Sequence, residues 1–186
     1  MKSNDRRPLV AILMGSDSDL PTMQETGKML DELGVPYVSR ITSAHRSPKK
    51  TTLLAAELEG EGIQVFIIGA GLAAHLAGAI ASVTSLPVIG VPMEGGAMRG
   101  TDALYSIVQM PSGIPVATMA IGKHGAKNAA ILATQILALN DETLRKRLVA
   151  FKEELERSVE EKDRKLTSEL QSAAEAIGEL TPEGKQ

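Results

Sequence analysis

Ile41-Thr42-Ser43-Ala44-His45-Arg46-Ser47-Pro48 is the point where an extended segment gives way to a helix. Tyr37 to Ile41 has the character of a strand, and Ser47 followed by Pro48 reads as an N-cap ahead of the first helical position. His45 and Arg46 therefore lie on a strand-to-helix loop, at the carboxyl end of a strand. In open parallel α/β sheets that edge is where ligands bind. A titratable imidazole beside a permanent cation points to proton transfer on an anionic substrate.

The same strand–loop–helix unit recurs on both sides. Upstream, Leu9 to Met14 (LVAILM) is the unbroken apolar run of a strand buried on both faces. It ends at Gly15-Ser16-Asp17-Ser18-Asp19, and a helix follows from Leu20-Pro21 to Leu33, with Gly34 as its stop. Downstream, Pro48–Glu59 is a helix with Leu53, Leu54 and Leu58 expected inward. Val65–Ile68 is a third strand, followed by Gly69-Ala70-Gly71 and a helix from about Ala73 to Val83. Val88–Val91 is the fourth strand, Met93–Gly100 a loop, and Thr101–Val108 a helix. Val116–Ile121 is the fifth strand and Ala126–Leu139 the fifth helix.

Successive βα units with right-handed crossovers give an α/β/α three-layer sandwich around a five-stranded parallel sheet. The flavodoxin-like order 2-1-3-4-5 is expected, because its switch point brings the loops after strands one and three together. The flexible N-terminus is placed at 1–8 and the catalytic domain at 9–140. From Asp141 the composition becomes densely charged, with Leu144, Leu148, Phe151, Leu155 and Val159 at helical spacing. This predicts a C-terminal helical arm over 141–180, whose stripe weakens after Val159, and a disordered tail over 181–186.

Composition narrows the function. The chain has 186 residues, no cysteine and a formal net charge of −3. That rules out disulfides, thiolate nucleophiles and cysteine-ligated metals, and disfavours a nucleic-acid partner. Two Tyr, two Phe and no Trp leave little material for base stacking. No apolar run is long enough to span a membrane and no signal peptide is evident, so a cytoplasmic location is expected. Three histidines far apart in sequence make a metal site improbable. The absence of a GxSxG elbow disfavours a serine hydrolase.

Two further loops accompany His45. In Gly15–Asp19, backbone N–H groups with the Ser16 and Ser18 hydroxyls suit a phosphate, and Asp19 suits sugar hydroxyls; the plainer reading is a tight turn with an N-cap. In Gly69-Ala70-Gly71-Leu72-Ala73-Ala74-His75, missing side chains let backbone approach a ring or a carboxyl group, or simply allow close helix–sheet packing. His75 either contacts ligand or caps its own helix.

Taken together, Gly15–Asp19, Ser43–Pro48 and Gly69–Leu76 resemble the catalytic subunit of bacterial phosphoribosylaminoimidazole carboxylase. So do Tyr105–Val116 and the stretch from Ala120 to Ala130. The resemblance covers roughly residues 8–150, in consistent order and spacing. It is to the class that acts as N5-carboxyaminoimidazole ribonucleotide mutase in purine biosynthesis. It implies a flavodoxin-like fold, a homo-octamer with sites between subunits, a ribonucleotide substrate, a link to an ATP-dependent synthetase, and no cofactor. His45 would be the acid–base; Ser16, Ser43 and Arg46 would hold phosphate, with Ser18 beside them. Asp19 would hold the ribose, while Gly71, Ala74 and His75 would surround the carboxyl group. Two other readings stand beside it: the related carboxylase using free CO2, in which a Ser-Asn sequence is expected near 73–76, and a non-catalytic nucleotide- or flavin-binding module.

Overall fold

A computed structural model describes residues 7–179. The N-terminal segment expected to be flexible lies largely outside them, and the tail at 181–186 entirely so. The chain divides into two compact units, with the boundary between Arg145 and Lys146.

The first unit holds five parallel strands: β1 (Val10–Met14), β2 (Tyr37–Ile41), β3 (Val65–Ala70), β4 (Val88–Pro92) and β5 (Ala117–Thr118). Their order is β2-β1-β3-β4-β5, the flavodoxin-like order expected from the placing of the loops after strands one and three. Every residue of β1, β3 and β4 is buried, which is why those segments read as continuous apolar runs.

Alternation along each strand supplies the two faces of the sheet. Ala11, Leu13, Phe66 and Ile68 pack with Ala55 and Leu58 of α2 (Pro48–Glu61), with Leu76, Ala77 and Ile80 of α3 (Leu76–Ala81), and with Ala103 and Ile107 of α4 (Thr101–Val108). On the other face α1 (Leu20–Leu33) lies against α5 (Lys123–Leu137). There the buried Thr26 hydroxyl donates to the Ala126 carbonyl at 2.9 Å. Gly34 closes α1 in the left-handed conformation, φ 71°, so that its N–H reaches the Leu30 and Asp31 carbonyls.

Several expectations are corrected here. Leu53 is 63% exposed, because α2 meets the sheet through Thr51, Ala55 and Leu58, and Leu53 falls on the opposite side of the helix. β5 has two residues instead of six. Beyond them the chain still follows β4, through Met119 N–H to Gly90 O and Gly122 N–H to Pro92 O, each 2.9 Å, but without a regular ladder. α5 accordingly starts at Lys123. α3 starts at Leu76, later than expected, because Leu72 adopts a positive φ and His75 N–H turns back to Ala73 O.

α6 (Glu142–Glu179) is one unbroken helix of 38 residues. It opens on Asp141, whose Oδ1 accepts from the N–H groups of Thr143 and Leu144 at 2.8 and 3.1 Å. Its apolar stripe thins after Val159, as expected, but resumes at Leu166. Leu155 and Val159 are followed, eleven residues on, by Leu166 and Leu170, and all four are more than half exposed. Among the described residues, no helix is long and apolar enough to cross a membrane.

Candidate active site

Four strand-end loops meet at the carboxyl edge of the sheet, and backbone hydrogen bonds hold them in place. Gly15 N–H donates to Gly69 O at 3.3 Å, Thr42 N–H to Met14 O at 3.0 Å, and Met93 N–H to Ala70 O at 2.9 Å. They enclose a cavity of about 680 Å³. This is the crevice that the reversal of strand order between β1 and β3 creates.

All nine sequence-derived candidates line that cavity: Ser16, Ser18, Asp19, Ser43, His45, Arg46, Gly71, Ala74 and His75. His45 Nε2 lies 2.8 Å from His75 Nδ1, with ring centroids 4.8 Å apart and planes at 69°. One nitrogen of that pair carries the proton and the other accepts it. His75 opens α3 but makes no side-chain cap, so its imidazole is committed to His45.

The turn that carries His45 is stabilised from within. Ser43 Oγ accepts from the Arg46 N–H at 3.2 Å, and Ser47 Oγ donates back to Ser43 O at 3.1 Å. Ser47 thus precedes α2 as expected but caps nothing with its side chain. Beneath the turn the buried hydroxyls of Thr42 and Thr51 meet at 2.8 Å, anchoring the end of β2 to α2. Arg46 then reaches across to the loop after β1: its Nη2 donates to Gly15 O at 3.2 Å. A guanidinium beside the hydroxyls and N–H groups of a small-residue loop is chemistry suited to phosphate.

In that loop Ser16 Oγ donates to Asp17 Oδ1 at 3.0 Å, and the Ser18 N–H donates to the same oxygen at 3.1 Å. Asp17 thus holds two donors that an incoming anion would use. Asp19 faces the cavity, where burial pushes its carboxyl above the usual range, partly offset by hydrogen bonds from the backbone of Ser16 and Gly15. Asp19 and Arg46 therefore meet the same Gly15–Ser16 turn, an acceptor and a donor at one end of the pocket.

Sequence reasoning assigned no role to Leu72 or to Met93–Gly96, which also line the cavity. The signal was available for the second, since Met93 follows directly on a strand end as the other site loops do. His124 and Lys123, at the start of α5, are exposed and do not line the cavity. Among the described residues no cluster of three or more His, Asp or Glu side chains is arranged to hold a metal ion.

Comparison with known proteins gives this geometry a family. A model of the AIR carboxylase family matches residues 9–158. The N5-carboxyaminoimidazole ribonucleotide mutase of Pyrococcus horikoshii is 54% identical over 166 residues, 89% of this chain and 92% of that one. The protein of the same name from Thermotoga maritima is 49% identical over 159 residues, 86% of this chain and 92% of its own. In fold, the crystal structure of Treponema denticola PurE superposes with a TM-score of 0.79 at 32% identity, covering 86% of this chain and 99% of that one. The match begins at the first strand of the sheet and runs into the last helix: the chain belongs to the AIR carboxylase family.

Proposed function

We propose that the chain is an N5-carboxyaminoimidazole ribonucleotide mutase of de novo purine biosynthesis. It moves a carboxyl group from N5 of the substrate to carbon C4. The observation that carries this reading is the imidazole pair His45–His75, set 2.8 Å apart in a cavity whose rim offers Arg46 for a phosphate.

The reaction needs one group that can give a proton and then take one. His45 protonates N5 as the N5–carboxyl bond breaks, and its electron pair stays on nitrogen. Carbon dioxide is left beside the ring. C4 then attacks it with the electrons of the ring enamine, and the C4 proton returns to His45. An imidazole, which can both give and take a proton, serves both halves. His75 orients His45 through their shared hydrogen bond. Arg46, Ser16, Ser18 and Ser43 hold the phosphate and Asp19 the ribose hydroxyls. The backbone at Gly71 and Ala74 flanks the migrating carboxyl group, where exclusion of water protects the intermediate. No cofactor is called for.

His45, Arg46 and His75 are exposed in the single chain, which supports sites completed by neighbouring subunits of a homo-octamer. The unstable carbamate substrate calls for an ATP-dependent synthetase to supply it, and both activities belong in the cytoplasm. The reading is tested by following, in the ultraviolet, formation of the C4-carboxylated product from the N5 carbamate without ATP. The wild type converts it and His45→Asn does not. Efficient carboxylation of aminoimidazole ribonucleotide by free CO2 instead would favour the carboxylase, and no turnover of either substrate would leave a binding module.

A further inference from the structure

Leu72 has an unusual conformation for its position. It sits at φ 55°, in the left-handed region that a bulky side chain seldom occupies, between the small residues Gly71 and Ala73. It lines the cavity, yet is 58% exposed. Its side chain reaches the loop after β4: a Cβ built on Gly96 would stand 2.7 Å from Leu72 Cδ2. Gly96 is itself left-handed, φ 62°, and its missing side chain is what makes room for the leucine. Leu72 therefore crosses from the loop after β3 to the loop after β4, over the same pocket that holds His45 and His75. Backbone strain at such a place points to a function that requires that side chain there.

This inference rests on the mutase reading. Between its two halves no covalent bond holds the carbon dioxide; only the walls of the site do. The molecule is small, neutral and apolar, so an apolar wall retains it and keeps out the water that would carry it away. Ala73, Ala74 and Met93 line the same cavity. We infer that Leu72 retains the carbon dioxide, acting as an apolar cover between the loops after β3 and β4, and so decides what share of the product keeps the substrate's own carbon.

The test uses the full-length protein, the N5 carbamate as substrate, labelled bicarbonate and added carbonic anhydrase to keep the dissolved carbon dioxide labelled. The readout is label at C4 per product formed, compared at equal conversion. Asn and Gly both accept a positive φ, so Leu72→Asn and Leu72→Gly remove the apolar cover without adding backbone strain. Both are expected to raise the labelled share severalfold, and Leu72→Met to return it towards the wild-type level. A labelled share unchanged in both Leu72→Asn and Leu72→Gly, with the wild type converting normally, overturns the role of Leu72 alone. No conversion by the wild type overturns the mutase reading and the role of Leu72 with it.

Discussion

His45 Nε2 stands 2.8 Å from His75 Nδ1, although the two residues are 30 positions apart on different strand-end loops. A single hydrogen bond thus joins the loop after β2 to the loop after β3 and sets the orientation of both rings. The two histidines are expected to fail differently. If His45 carries the proton, His45→Asn lowers kcat by about 10²–10⁴ while KM changes little. His75→Ala removes one hydrogen bond of about 1 kcal/mol, a loss of roughly fivefold. Steady-state kinetics on the N5 carbamate separates them; equal losses would mean that His75 itself transfers protons.

Arg46 is held at Gly15 O and Ser43 Oγ with its charge at the rim of the pocket. If it binds the phosphate, Arg46→Ala forfeits a charge-assisted hydrogen bond of about 1.5–3 kcal/mol, and KM rises by roughly 10–100-fold. Arg46→Lys keeps the charge but loses the fork, so it recovers only part of the loss. An unchanged KM in Arg46→Ala would place the phosphate elsewhere.

Asp19 links stability to pH in a direction that can be checked. Burial pushes its carboxyl up from the usual 3.8; the backbone of Ser16 and Gly15 opposes this, and the nearby Asp17 charge adds to it. The folded protein therefore keeps this proton to higher pH than the unfolded chain does. Its contribution to stability falls as pH rises from about 3.8 through the raised value, and stays level above it. Asp19→Asn removes that slope, so at neutral pH its Tm is equal to or above that of the wild type. If Asp19 accepts from the ribose hydroxyls, the variant's KM nevertheless rises. A lower Tm at neutral pH would contradict this account of the site.

The C-terminal part of α6 lies beyond the family match, which ends at residue 158. If the protein assembles as the proposed homo-octamer, removing residues 160–186 is expected to leave it assembled, as judged by light scattering. Dissociation into smaller species would show that this part of the helix holds subunits together.

Much of this was legible in the sequence because each signal was local. The ends of α1 are marked by Pro21 and Gly34, β1 and β3 are apolar throughout, and each site loop follows a strand end directly. β5 was overestimated because an edge strand pairs on one side only, and its exposed Ala117 and half-buried Thr118 carry no alternation to read. His75 left two readings open, and only the tertiary approach of two loops decides between ligand-side ring and helix cap. The left-handed Leu72 was invisible for the same reason: its side chain occupies space left by Gly96, on the loop one strand later in the chain.

The most direct test of the central claim gives the wild-type protein fresh N5-carboxyaminoimidazole ribonucleotide, without ATP, in low-bicarbonate buffer containing labelled bicarbonate. The account predicts rapid formation of the C4-carboxylated product with little label, lost in His45→Asn. Product that carries the full label of the buffer would contradict it, because the carbon would then have come from solution and not from N5.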